Sequence, residues 1–215
     1  KSWECSWSGY HTVFKDRGIY RMYYRGAGVK RDATGRGHDA HPQFTCYAES
    51  MDGIHWTRPN LGLIAFEGSK ANNIILQGKK QGATNFTPFR DTNPDCDPDA
   101  RYKAVGGHFQ GLYAFQSPDG VDWERMQKKP VLTDGAFDSQ NVAFWDPVRE
   151  EYRAYFRAFT GGSAGKGRRA IKTATSRDFI HWSDGKWLTY PPAPKQELYT
   201  NAILPYCRAP YLFIG

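Results

Sequence analysis

Ser50-Met51-Asp52-Gly53-Ile54-His55-Trp56 returns as Ser117-Pro118-Asp119-Gly120-Val121-Asp122-Trp123, and again as Ser176-Arg177-Asp178-Phe179-Ile180-His181-Trp182. Each copy follows a short strand-like run: Cys46 to Glu49, Tyr113 to Gln116, Thr173 to Thr175. Ser and Asp side chains bond backbone N–H groups in turns, Gly supplies positive φ, and a large ring opens the next strand. The phrase therefore reads as the turn of a β-hairpin. Phe179 stands where the other copies have Gly, so the third turn is expected to close by a different geometry. Three copies at related positions indicate a repeat architecture.

The chain has 215 residues, compatible with one all-β domain. Aromatic residues make up 15% of it, alongside 22 Gly and 13 Pro. That mixture suits short strands, tight turns and ring packing, and it also suits a carbohydrate site. The net charge of +7 is spread along the chain, with one dense cluster at Lys166-Gly167-Arg168-Arg169. No nucleic-acid-binding motif accompanies it, so no nucleic-acid partner is expected, and acidic or sulfated glycans are the anionic partners to weigh. Cys5, Cys46, Cys96 and Cys207 form no Cys-x-x-Cys pair, which argues against zinc and redox motifs. No apolar run is long enough to span a membrane. The chain opens at Lys1 without Met and stops inside the strand-like run Tyr211 to Gly215. The reading is part of a longer, processed protein with an extracellular or periplasmic location and an open oligomeric state.

Phased on the phrase, the chain divides into units of four strands. A first strand (Thr12-Val13-Phe14; Val142-Ala143-Phe144-Trp145) runs into a turn carrying Asp16, Asp91 or Asp146. A Tyr-(Arg/Lys)-x strand follows, then the third strand, the phrase and a fourth strand. In the first unit the fourth strand is expected near Trp56, residues 26–42 as a long loop, and 60–80 as a connection with one apolar strand. Helices are expected to be few. Four-stranded antiparallel units in series are propeller blades. The fold expected is an all-β, β-propeller chain in a single truncated domain. Its units are approximately 10–76, 85–135, 140–190 and the start of a fourth at 200–215, with a β-sandwich as runner-up.

The phasing also aligns His11, Asn85, Asn141 and Asn201 at the start of each first strand. In a propeller that strand lines the central channel, so these residues are expected at one mouth, holding sugar hydroxyls or capping backbone where units meet. Glycoside cleavage needs two carboxyl groups flanking the bond. The acids nearest that mouth in sequence are Glu4, Asp138 and Glu197, with Tyr199 between Glu197 and Asn201 as a further sugar contact. The loop Asp91 to Asp99 places acids or amides at alternate positions, like the opening of a calcium loop. It lacks the Gly and terminal Glu of an EF-hand, so no metal or cofactor is assigned and Ca²⁺ stays an alternative there. The His38 and His41 pair reads as a surface loop.

These residues carry a resemblance. The Ser-x-Asp-Gly-x-x-Trp unit ending, with Tyr20-Arg21-Met22-Tyr23-Tyr24 on a second strand, resembles the five-bladed β-propeller glycosidases of glycoside hydrolase families 32 and 43. The resemblance implies five blades when complete, a secreted glycosidase, and three carboxylates on inner strands. Family 32's Trp-x-Asn-Asp-Pro signature is absent; Trp3-Glu4-Cys5-Ser6-Trp7 stands in that region. Phe89-Arg90-Asp91 is similar to the Arg-Asp-Pro motif, which makes Asp91 a second-rank catalytic candidate. The Glu-Cys motif has no match, and Asp138 occupies its region. The function expected is a glycoside hydrolase acting at the axial funnel through paired carboxylates, with a non-catalytic carbohydrate-binding or protein-interaction propeller as the alternative.

Overall fold

A computed structural model describes residues 1–4, 6–78, 82–163, 166–192 and 196–215. Among them the structure is all-β, with one 3-10 turn at Pro98–Ala100 and no α-helix. Strands β1 (Trp7–Asp16), β2 (Ile19–Ala27), β5 (Phe44–Ser50) and β6 (Ile74–Gln77) form the first antiparallel sheet. Strands β7 (Thr87–Arg90), β8 (Tyr102–His108), β9 (Gly111–Ser117) and β10 (Glu124–Arg125) form the second. The third holds β11 (Val142–Asp146), β12 (Glu151–Phe159), β13 (Arg169–Ser176) and β14 (Lys186–Trp187). A hairpin of β15 (Leu204–Tyr206) and β16 (Ala209–Ile214) follows. The first strands are where successive sheets meet: β1 touches β7, β7 touches β11, and β11 touches β15. This is the blade arrangement of a propeller.

The first unit differs from expectation in two places. Its fourth strand is β6, and Trp56 precedes only an isolated bridge from Thr57 to Glu49. Residues beyond the phrase instead cross the sheet's face, packing Trp56, Ile64 and Phe66 on Tyr24, Phe44 and Ile74. Burying those rings stabilises the detour more than an early ladder would, at about 1.5–3 kcal/mol per large apolar side chain. The 26–42 stretch is also not all loop. It carries a small hairpin of β3 (Val29–Arg31) and β4 (Gly37–Asp39).

The three phrases close identically. Ser50, Ser117 and Ser176 Oγ accept the N–H three residues on, at 2.8, 2.8 and 2.9 Å. Asp52, Asp119 and Asp178 Oδ1 accept two further N–H groups each, at 2.8–2.9 Å. Phe179 overturns the expectation of a different geometry: its φ is 68°, beside 79° and 81° at Gly53 and Gly120. The cost of a left-handed non-Gly residue, about 1–3 kcal/mol, is offset by packing. The ring is fully buried against Phe89, Tyr152 and Trp182, with centroids 5.6, 5.1 and 5.4 Å away. Phe179→Gly should therefore destabilise despite restoring the repeat. Ring loss of about 3–5 kcal/mol exceeds the relief of strain, and a denaturant midpoint at or above the parent's would contradict this.

The phrase also clasps the preceding sheet. Tyr23 Oη donates to Gly120 O at 2.8 Å, and Arg21 Nη1 donates to Asp119 O at 2.8 Å. A second weld joins the sheets through the aligned turn aspartates, all buried. Asp16, Asp91 and Asp146 pair with the second-strand bases Arg21, Lys103 and Arg153 at 3.2, 2.5 and 2.9 Å. A tyrosine from the next sheet completes two of them: Tyr102 donates to Asp16 at 2.5 Å and Tyr152 to Asp91 at 2.6 Å. Turn formation alone understates these residues.

Candidate functional site

The innermost strands surround an axial channel of about 620 Å3. His11, Thr12, Val142, Phe144, Ala202 and Cys207 are among its lining residues. Its mouth lies where the first strands begin, and the backbone there is bent. A register shift between Gly9 and Thr12 interrupts the β1–β2 ladder. Non-Gly residues take positive φ at the start of three units: Tyr10 at 53°, Asn85 at 57° and Ala202 at 47°. Bulges and left-handed residues re-aim side chains and concentrate at functional sites.

Here the bend turns Tyr10 toward Tyr199. Burial, together with the hydrogen bond the two phenols share, raises Tyr10 above the ordinary phenol value. Burial also pushes Tyr199 up, but the bonds from Tyr10 and Arg157 and the charges of Arg157 and Arg169 outweigh it, leaving Tyr199 below the ordinary value. The Arg157 guanidinium lies 4.6 Å from the Tyr199 ring centroid, and that of Arg169 5.6 Å. Across the mouth, Arg25 is sandwiched between Trp7 at 3.6 Å and Tyr10 at 4.6 Å.

Two of the acids named from the sequence pair with the two arginines beside Tyr199. Asp138 forms an ion pair with Arg157. Glu197 Oε2 accepts from the backbone N–H and Nη1 of Arg169, both at 3.0 Å. Those bonds hold its carboxyl below the usual range. Glu4 sits apart, against the first sheet. It accepts from Tyr24 and the N-terminal ammonium and pairs with Arg58 at 2.9 Å. Burial opposes its ionisation, yet these partners hold it below the ordinary carboxyl value. Asp91 lies at the far end of its strand, in the Lys103–Tyr152 weld.

The three asparagines are buried and bond to backbone at the joints between units. Asn85 Nδ2 donates to Phe137 O at 2.9 Å, while its Oδ1 accepts from Arg25 Nη1 at 2.9 Å. Asn141 Nδ2 donates to Ser139 O at 2.8 Å, and Asn201 Nδ2 to Tyr155 O at 3.3 Å. His11 is exposed at the mouth, bonded to Ser8 at 3.1 Å and stacked on Tyr24. Sequence reading missed Arg25, Arg157, Trp7 and Tyr10. The repeat held the signal for the two arginines. Tyr20-Arg21-Met22-Tyr23-Tyr24-Arg25 matches Tyr152-Arg153-Ala154-Tyr155-Phe156-Arg157, while β8 breaks the pattern at Gly106-Gly107.

A larger cavity, about 820 Å3, opens at the opposite end between the second and third sheets, over Cys96, Lys103 and Tyr152. Three oxygens of its acidic loop close the loop's own turns. Asp91, Asn93 and Asp97 Oδ1 accept from the N–H groups of Asn93, Asp95 and Asp99 at 2.9–3.0 Å. Among the described residues no three or more His, Cys, Asp or Glu side chains cluster as metal ligands. Cys46, Cys96 and Cys207 are free thiols; Cys5 lies outside the described residues. The mouth, with exposed rings over buried guanidiniums, is the better candidate site.

No known family profile matches the chain. It is 28% identical over 147 residues to the uncharacterized protein Rv1502 of Mycobacterium tuberculosis, and equally to its counterpart MT1551 in another strain of that organism. The match covers 68% of this chain and 42% of either relative, so the chain spans under half the length of the curated relatives it matches. Solved structures share the fold at low identity. One belongs to the GH130 family of mannoside phosphorylases, which contains glycoside hydrolases targeting β-1,2 mannosidic linkages in Candida mannan. Its TM-score is 0.52 at 16% identity, covering 83% of this chain and 50% of that one. The β-1,2-mannobiose phosphorylase of Listeria innocua gives 0.51 at 13%, covering 83% and 58%. A further glycoside hydrolase gives 0.53 at 18%, covering 91% and 61%.

Proposed function

We propose that this chain is part of a glycoside-cleaving enzyme, a five-bladed propeller when whole, working at the mouth of its axial channel on a glycan. The observation that carries this reading is the convergence of Asp138 and Glu197, from different segments, on neighbouring guanidiniums around the exposed Tyr199. Trp7 and Tyr199 offer open ring faces on which a sugar can stack. The fold is one that glycoside hydrolases and phosphorylases use. The reading names the broad glycosidase type and not family 32 or 43 in particular, and secretion fits it.

The lowered Glu197 suits a base or nucleophile, because a general acid needs a raised carboxyl. Asp138, ion-paired with Arg157 and partly exposed, is the second carboxyl of the pair. The same pairing of both acids with arginine is what favours the second reading, a glycan-binding propeller without turnover. A panel of neutral and acidic oligosaccharides, incubated with the protein in water and with inorganic phosphate, separates the outcomes. New reducing ends signal hydrolysis, and sugar 1-phosphates signal phosphorolysis. Saturable binding without either product would establish the non-catalytic reading.

A further inference from the structure

Buried polar groups in folded proteins are almost always paired, so those left over locate missing ligands or water. Among the described residues single atoms of this kind occur at Asp16, Arg21, His41, Thr87 and Thr173, and a cluster of them lies at the mouth. The cluster is Arg25 Nε, Arg157 Nε and Nη1, Arg169 Nε, Ser139 Oγ and Asn141 Oδ1. Arg25 and Arg157 are 8% and 1% exposed, and Ser139 and Asn141 are fully buried. One short chain links the two arginines. Arg25 donates to Asn85, Asn85 donates to Phe137 O, and the next residue, Asp138, pairs with Arg157. Unpaired guanidinium N–H groups this deep are costly, and a guanidinium's planar fork matches a carboxylate.

We propose that the mouth holds the carboxylate of an acidic sugar, a uronic-acid unit of the glycan, between Arg25 and Arg157. The proposal rests on the glycan-acting reading above and specifies its substrate class. Charge at the mouth agrees. Arg25, Arg157, Arg168 and Arg169 stand against Asp39, Asp138 and Glu197, an excess of one positive charge. Asp138 already shows that Arg157 accepts a carboxylate, and it leaves two of that guanidinium's nitrogens unmet. The rings covering the guanidiniums, Trp7 and Tyr199, are 43% and 46% exposed, so a rotamer change in either opens the edge beneath it.

Calorimetric binding tests this. Oligosaccharides of galacturonate, glucuronate and mannuronate are each compared with the neutral glycan made by reducing their carboxyls. At least one acidic form should bind roughly 10- to 100-fold tighter than its reduced partner. Arg25→Gln should remove that difference, with a cooperative melting transition and retained binding of the reduced glycan showing that the variant is folded. Arg25→Lys, which keeps charge but loses the fork, should recover only part of it. Equal binding of every acidic and reduced pair overturns the carboxylate site and leaves the glycan reading standing. Failure of every acidic and neutral glycan, including the neutral panel above, removes the glycan reading as well. Inorganic phosphate that displaces the acidic glycan and is consumed in cleavage would also overturn the proposal, because the arginines would then serve the attacking phosphate.

Discussion

Replacing Asp91 with alanine is expected to lower the melting temperature by roughly 10 °C, since an unpartnered buried charge costs about 3–5 kcal/mol and a chain of this size loses about 2–4 °C per kcal/mol. Lys103 is 5% exposed and has its Nζ 2.5 Å from Asp91. Without the carboxylate that ammonium keeps only Ala100 O at 3.0 Å and Cys96 Sγ at 3.2 Å. Tyr152 loses its acceptor too, so the second and third sheets separate at this weld. The His55–Asp52 pair serves as the control, because its histidine side chain is 87% exposed. Screened surface pairs contribute about 0–1 kcal/mol, so His55→Ala should barely move the transition. The double variant Asp91→Leu with Lys103→Met removes both charges and should regain most of the loss. A melting point unchanged in Asp91→Ala would show that the weld does not hold the sheets.

Asp138→Asn is expected to cut turnover at least about 100-fold, the usual scale of losing a general acid or base. The amide keeps an oxygen acceptor for Arg157, and the Asp138 side chain is 34% exposed, so folding should survive. Glu197→Gln should reduce turnover as well. It also loosens the bonds to Arg169 that hold the segment bearing Tyr199, so its effect mixes chemistry with positioning. A loss of affinity without a loss of turnover in Asp138→Asn would move this residue from proton transfer to substrate binding.

Much of the architecture was legible because it is repeated. The phrase Ser-x-Asp-x-x-x-Trp encodes its turn in side chains that bond their own backbone, and such local chemistry survives from sequence to structure. Phe179 shows the limit. Its backbone follows the glycines, while the ring's value depends on Phe89 and Tyr152, contacts between sheets that no local pattern carries. The fourth strand of the first sheet was misplaced for the same reason. Trp56 has strand-like neighbours, but packing on a distant face decides where the chain runs.

The candidate site was legible in part. Sequence spacing brought Asp138, Glu197 and Tyr199 forward, and all three reach the mouth. It could not tell where each carboxyl is held: Asp138 and Glu197 by arginines beside Tyr199, Glu4 by Tyr24 and Arg58 against the first sheet. Asn85, Asn141 and Asn201 align because each bonds backbone at a joint, a role that repeats as faithfully as any ligand contact. The arginines recur only in the first and third units and rank in sequence as ordinary surface charge. Their burial, at 8% and 1% exposure, singles them out.

The most direct measurement is turnover of the glycan panel by the parent protein beside Asp138→Asn, with melting curves recorded on the same samples. A glycan cleaved by the parent, with cleavage falling at least about 100-fold in a variant that melts normally, is the result expected of a catalytic mouth. Undiminished cleavage in the folded variant, or no cleavage of any glycan by the parent, would contradict it.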